Sequence, residues 1–244
     1  ELSSGTGEVK TLAAAHCGLG RIAISRGEYG EALPHLDEAL RISRESGHEA
    51  GAAQAVYNLA DAHFRLGNAD AAERCARESL EIYERIGDRQ GIALSHRVLG
   101  FAAMMRGDHE GAGNHHREHG RISEEIGDRW GVCTGLINLG ETFRKRGMFE
   151  EAVGCWKQSL PIATEIGAKL SVIISHCNAG NVLAMMEGRE KDAIDNLKQA
   201  LILSQQIGSA PITLEVLVGV MHLRIRSSRF EEAAELAGLV SGHP

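Results

Sequence analysis

Residues Gly127 to Ile166 read GDRWGVCTGLINLGETFRKRGMFEEAVGCWKQSLPIATEI, and the rest of the chain repeats this stretch with variations. Glycines in its register stand at 47, 87, 127, 167 and 208, at steps of 40, 40, 40 and 41 residues (87−47, 127−87, 167−127, 208−167). A second ladder runs through Gly20, Gly100, Gly140 and Gly180, with Ala60 on the remaining rung. A third is Ala32, Ala72, Ala112, Ala152, Ala193 and Ala233. Three ladders in one register, at a period of this kind, are the signature of a stacked repeat. Such a pattern decides the fold and leaves the ligand to the side chains on its surface.

Within the stretch two helices are predicted. Gly127 ends the helix before it, and Asp128 is an N-cap candidate for the next. Val132, Leu136, Leu139 and Phe143 recur at helical spacing up to Arg146. Gly147 marks the turn. Glu150 and Glu151 open the second helix, where acids suit the positive end of its dipole. Ala152, Trp156, Leu160 and Ala163 form its apolar stripe. Gly140 and Ala152 are small where two helices must approach closely, so that a larger residue there would overpack the contact.

The motifs Leu139-Gly140-x2-Phe143 and Ala152-x3-Trp156 resemble the tetratricopeptide repeat, and Leu19-Gly20, Leu99-Gly100 and Ala193-x3-Leu197 repeat them. The resemblance covers nearly the whole chain. Two departures stand out. The opening Trp slot holds His16, Val56, His96, Leu136, His176 and Leu217, and the closing Pro is absent. That is the longer variety, of roughly 40 residues against 34. The implied fold is an all-α, right-handed superhelix of about six helix-turn-helix repeats, at about 8–47, 48–87, 88–127, 128–167, 168–208 and 209–241. Its concave face is then lined by the first helix of each pair, and the whole of 1–244 is a single array.

Whole-chain properties narrow the function. Lys and Arg number 26 against 33 Asp and Glu, a net charge of −7, which argues against nucleic acid or an anionic membrane as a direct partner. No apolar run approaches the length of a membrane span. Aromatic residues are only 4%, so burial must come from Ala, Leu, Ile and Val in helix seams. The five cysteines, at 17, 75, 133, 155 and 177, form no C-x-x-C, which suits a reducing, cytoplasmic compartment. The start at Glu1 without methionine is read as a piece of a longer protein. Residues Glu1 to about Glu8 are expected to fray, the sixth repeat to be atypical, with Met221 and Ser228 in place of ladder glycines, and the fifth to carry one extra residue in its turn.

No catalytic motif survives its context. Gly18-Leu-Gly20-Arg-Ile-Ala23 matches a dinucleotide fingerprint in letters but lies inside a helix, where Gly20 is a packing position. P-loop, G-x-S-x-G and H-E-x-x-H patterns are absent, so neither enzyme chemistry nor a cofactor is expected. His115 and His119 form an i, i+4 pair that could share a metal ion, but nothing obvious completes the shell, and no metal is expected. With Gly111, Gly113 and Gly120 in the same helix, a loose and partly hydrated segment is the simpler expectation. His16, His96 and His176 are read as satisfied seam histidines.

The first-helix face carries the functional reading. Counting from the ladder glycines points Tyr57, Asp61, Phe64 and Arg65 inward, then Arg97, Phe101, Met104 and Met105. Next come Ile137, Glu141, Arg144 and Lys145, then Cys177, Asn181 and Met185. A lining of aromatic, thioether and both charges suits a peptide or helix better than a phosphate. Two positions before the ladder glycines stand Asn58, Asn138 and Asn178, with Gly18 and Val98 at the other rungs. Asparagine is a middling helix former, and its amide matches a peptide backbone. In similar long-repeat tetratricopeptide proteins this asparagine clamps a bound extended peptide, and the resemblance implies that role here. At the Val98 gap, Phe101, Met104 and Tyr57 are expected to form an apolar pocket.

The phrases RIGDRQG, EIGDRWG and EEAVGCWKQSL also look like the C-terminal sensor arrays of STAND regulators, the signal transduction ATPases with numerous domains. That resemblance implies a sensor that binds a peptide or protein inducer and controls upstream ATPase and effector modules of the same chain. A constitutive scaffold, as in the cell-polarity family with similar repeats, and a peptide-pheromone receptor are the alternatives.

Overall fold

The computed structural model describes residues 2–241. Its helices are α1 (Leu2–Arg26), α2 (Tyr29–Glu45), α3 (Glu49–Arg65), α4 (Ala69–Ile86), α5 (Arg89–Met105), α6 (His109–Glu125), α7 (Arg129–Lys145), α8 (Phe149–Glu165), α9 (Lys169–Met185), α10 (Glu190–Ile207), α11 (Ala210–Arg226) and α12 (Phe230–Ser241). No strand occurs among the described residues. The twelve helices form six hairpins in chain order and gather into two compact units, divided after Asp128. In the first unit, each of α1, α3 and α5 packs on the helix after it, and α2 and α4 pack on the next hairpin. The second unit repeats the scheme from α7. First helices also lie against each other, α1 on α3 on α5 and α7 on α9 on α11.

Turn chemistry sets the period. Glycines 27, 47, 67, 87, 107, 127, 147, 167, 188 and 208 all adopt φ between 65° and 82°. They mark both turns of each repeat, so the backbone beat is about 20 residues and the sequence period is two beats. Gly188 falls one residue late, where the fifth hairpin holds its extra residue. In the sixth hairpin the same left-handed place is held by Ser228, at φ 59°. Several helices close on a cap residue one position before their turn glycine, as with Ser46, Leu66, Arg106 and Ile126. Of the stretch Glu1–Glu8 expected to fray, Glu1 lies outside the described residues and the rest forms the start of α1. Once the helix is nucleated, each further residue adds a hydrogen bond, and no proline stops it.

Close approach within each hairpin sets the core. A Cβ on Gly140 would lie 2.5 Å from Nε1 of Trp156, one on Gly20 2.5 Å from Leu36, one on Gly100 2.3 Å from His116 and one on Gly180 2.8 Å from Leu197. Trp156 is fully buried, and its Nε1 donates to the Ile137 carbonyl at 3.1 Å. At the Ala60 rung the facing residue is Ala76, also fully buried. Each glycine thus admits one bulky partner from the second helix. The third alanine ladder is buried throughout. Between hairpins, paired hydroxyls close the seam: Ser79 with Ser95 at 2.8 Å in the first unit, Ser159 with Ser175 at 2.7 Å in the second.

The expectation of a loose, hydrated α6 is also corrected. The helix is unbroken, and His116 and His119 are each 1% exposed. Packing on α5 supplies the order that Gly111, Gly113 and Gly120 withhold. Phe101 presents its ring to His116 edge-on at 5.4 Å. Burial holds both imidazoles neutral, His116 down to about 3 and His119 to about 4, against an ordinary 6.5.

These features generate three predictions. Gly140→Ala should cost about 1–3 kcal/mol, because its methyl meets a tryptophan with no space to move into. An unchanged urea midpoint would contradict the contact. Ser228→Gly should raise stability by about 0.5–1 kcal/mol by relieving a left-handed non-glycine residue; thermal melts of the two proteins decide it. For the histidines, the unfolded chain takes up protons at 6.5 that the folded chain refuses until about 3–4. Stability should therefore be level above 6.5 and fall as pH drops below it. His116→Leu, which copies Leu36 and Leu197 at the same slot, should flatten that slope; urea midpoints between about pH 7.5 and pH 5 measure it.

Candidate functional site

The candidate residues lie on first helices, and several turn toward the second: Tyr57 belongs to the buried cluster it shares with α4, Ile137 packs against the Trp156 cluster of α8, and Phe101 meets His116 of α6. In the first unit they knit together. Arg97 Nη2 donates to the Tyr57 hydroxyl, and Tyr57 is buried beneath it. The Arg97 guanidinium also stands 5.9 Å from the centre of the Phe101 ring. Phe64 and Phe101 stack at 4.7 Å and 13°. Arg65 donates to Oδ2 of Asp61 at 2.9 Å and reaches over the Tyr29 ring at 5.8 Å. Two polar atoms in this cluster, Asp61 Oδ1 and Arg97 Nε, are buried without a hydrogen-bond partner. Met104 is half-buried at the end of α5. Tyr57 and Phe101, expected to line an apolar pocket at the Val98 gap, are held by Arg97 and Phe64.

The three asparagines differ. Asn58 is 5% exposed and its amide is engaged, donating to Cys17 Sγ at 3.0 Å and accepting from Gln54 Nε2 at 3.3 Å. Asn138 and Asn178, on the adjacent helices α7 and α9 of the second unit, are half-buried, and their amides carry no intramolecular hydrogen bond among the described residues. Beside them, Arg144 forms a forked pair with Glu141 at 2.6 and 2.7 Å. Asn181 donates to Cys177 Sγ at 3.6 Å and leaves its Oδ1 buried and unpartnered. Gly219 stands against that oxygen, where a Cβ would lie 2.2 Å away, so the asparagine rung continues into α11 as glycine. Ile137 is half-buried and Lys145 exposed.

A recess of about 330 Å³ between α1 and α3 was not foreseen from the sequence. Cys17, Gly18 and Arg21 form one wall and Gly51 and Gln54 the other, over Ser43 and His48. Ser43 Oγ and His48 Nδ1 are buried there with no partner. One repeat on, the ring of Tyr83 fills the corresponding space against Gly91. The signal was therefore present in the sequence as Ser43 against Tyr83, forty residues apart. Two thiols near this face, Cys17 and Cys177, are held in the protonated form. Burial raises Cys17 above the ordinary thiol, and burial with the nearby Glu215 carboxylate pushes Cys177 up to about 12.

The tetratricopeptide repeat family profile matches residues 11–85, 51–125 and 131–206. No curated protein matches the sequence. Among solved structures, aspartyl phosphate phosphatase F from Bacillus subtilis superposes with a TM-score of 0.78 at 15% identity, over 96% of this chain and 62% of that one. A STAND protein with a tetratricopeptide repeat sensor from Pyrococcus horikoshii gives 0.77 at 12%, over 96% of this chain and 36% of the other. A Rap protein complexed with competence and sporulation factor gives 0.72 at 12%, over 98% and 78%. The chain thus spans 62% and 36% of the length of the first two. At these identities the likeness is one of fold. The profile covers well over half of the sequence, and this protein belongs to the tetratricopeptide repeat family.

Proposed function

We propose that the chain is a sensor module of a STAND-type regulator and takes an extended peptide, or an unstructured segment of a protein, on the face of its first helices. The coarser statement, a protein-interaction scaffold, comes with the family. The observation that carries the finer one is the set of unengaged amides at Asn138 and Asn178. These amide atoms are not among the buried, unpartnered ones, so they are open to solvent, and a peptide backbone offers them a donor and an acceptor at every residue. Asn58, bound to Cys17 and Gln54, has a positioning role between α1 and α3 in this reading. The Glu141–Arg144 pair beside the free amides, with Lys145 nearby, supplies charge for an acidic or basic flank of the ligand. The cytoplasm is the compartment this function would require.

A STAND assignment is supported by the sequence phrases around Gly87 and Gly127 and by the fold shared with a STAND sensor. The Rap complex favours the receptor alternative equally on fold grounds. A nucleotide-binding module in the same reading frame would favour the STAND reading over a constitutive scaffold or a free-standing receptor, and its absence would count against it.

Peptides selected on the chain from a random display library provide the probe. Asn138→Ala with Asn178→Ala should weaken the selected peptides by about 1–3 kcal/mol, roughly tenfold or more, in calorimetric titration. The helical circular dichroism signal should persist, because alanine is the better helix former. Equal affinity for the two proteins would place the peptide site off this face.

A further inference from the structure

Within the hairpins the histidines of the first-helix slot are satisfied. His16 with His35 and His96 with His115 each close a hydrogen bond between ring nitrogens, and His176 bonds Asn196. The recess between α1 and α3 differs, because its polar atoms are unmatched and there is room beside them. Ser43 Oγ, on a residue 1% exposed, and His48 Nδ1 are buried there with no hydrogen-bond partner. A Cβ on Gly51 would lie 2.8 Å from the first and 2.5 Å from the second, so the two atoms converge on one place. Ser79, Ser159 and Ser204 on other second helices instead each donate to a carbonyl of their own helix and meet a facing hydroxyl.

The repeat register explains the space. One repeat on, Ser43 becomes Tyr83 and Cys17 becomes Tyr57. Both rings are buried in one cluster, at 3% and 8% exposure. In the first hairpin the volume of those rings is left as the recess of about 330 Å³. In the third, serine returns as Ser123, but Arg97, a long side chain, stands in the slot of Cys17. In the fifth, cysteine and serine recur together as Cys177 and Ser204. There Ile212 replaces the glycine of Gly51 and packs on the Cys177 cluster, while Thr213 meets the serine hydroxyl.

We propose that the recess binds a small monocyclic aromatic acid of the 4-hydroxybenzoate type, its ring in the space that Tyr83 fills one repeat on. The volume is at the low end of small-molecule sites, which suits a single ring. Ala13, Ala14 and Ala50 give that ring apolar walls. A hydroxyl at the base both gives and accepts, so it serves Ser43 Oγ and either tautomer of the His48 ring. The carboxylate faces Arg21, the one permanently charged side chain among the described lining residues. Long helical side chains lean toward the helix N-terminus, which carries Arg21 back over Gly18 and Cys17. Its cation acts on the Cys17 thiol there, against the larger effect of burial. The bound acid would join α1, α2 and α3 beside the hydrogen bond from Asn58 to Cys17. This inference is independent of the peptide-binding proposal, whose free amides lie in the second unit.

The test titrates 4-hydroxybenzoate, benzoate and phenol into the whole chain by calorimetry. 4-Hydroxybenzoate should bind saturably, and the other two, each lacking one polar group, more weakly. Ser43→Tyr installs the filling that the next repeat carries, and should abolish binding while the helical circular dichroism signal persists. Arg21→Gln, at an exposed side chain, should weaken 4-hydroxybenzoate about three- to tenfold and leave phenol unchanged. The acid should raise the melting temperature of the unaltered chain and leave that of Ser43→Tyr where it was. A readout that needs no variant is the set of nuclear Overhauser contacts from the ring protons, expected at the methyls of Ala13, Ala14 and Ala50. Failure of 4-hydroxybenzoate to bind at millimolar concentrations, equal affinity for the unaltered and Ser43→Tyr chains, or ring contacts with other methyls alone would overturn the proposal.

Discussion

Two helices of a hairpin can touch along their length only where one of them lacks a side chain at the point of contact. Every hairpin from the first to the fifth obeys this constraint at one rung. Gly20 admits Leu36, Gly100 admits His116, Gly140 admits Trp156 and Gly180 admits Leu197, while Ala60 meets Ala76. Interiors are packed as densely as molecular crystals, so the rung leaves no room for a larger side chain on the first helix. The facing residue varies from alanine to tryptophan, so what stays constant is the small residue on the first helix and not the summed volume of the pair. Where the partner is His116, the same burial forces a neutral imidazole with an unpartnered nitrogen.

That constraint also shapes the face left over. With one side of each first helix committed to its hairpin and its flanks to neighbouring hairpins, polar groups collect on the remaining side. In the first unit they satisfy each other through Tyr57 with Arg97 and Asp61 with Arg65, and Asn58 is drawn in by Cys17. In the second unit Asn138 and Asn178 find no such neighbour. The difference comes from what stands across the seam from each asparagine, and chemically identical residues in one register have different availability for that reason.

Below the forty-residue period lies a finer one of two beats and a coarser one of two repeats. The finer beat is backbone: every turn passes through a left-handed residue, and the hairpin turn and the inter-hairpin turn need it alike. The coarser one is side-chain matching across a seam. Ser79 and Ser95 recur as Ser159 and Ser175, and His16 and His35 recur as His96 and His115. In these pairs each polar atom has a polar partner, so both members change together along the chain.

The sequence by itself determined the helices, their turns and their pairing. Those features rest on local backbone conformation and on periodicity, and Gly127, Gly140 and Ala152 report both without reference to distant residues. The identity of each ladder partner was legible for Trp156 and Leu197, in the alanine motif, though their contact with glycine was not. Tertiary structure alone decided the rest. Residues α1 gained at its start followed from helix propagation, and order in α6 from packing that its glycines disguise. The pairing of His115 with His96 rather than His119, the recess beside Ser43 and the engaged amide of Asn58 depend on which side chain faces which, 19 residues away for His96 and His115 and 41 for Cys17 and Asn58. A repeat register names the position of such a neighbour, but its volume and hydrogen-bonding capacity act only once the two helices are brought to within a side chain of each other.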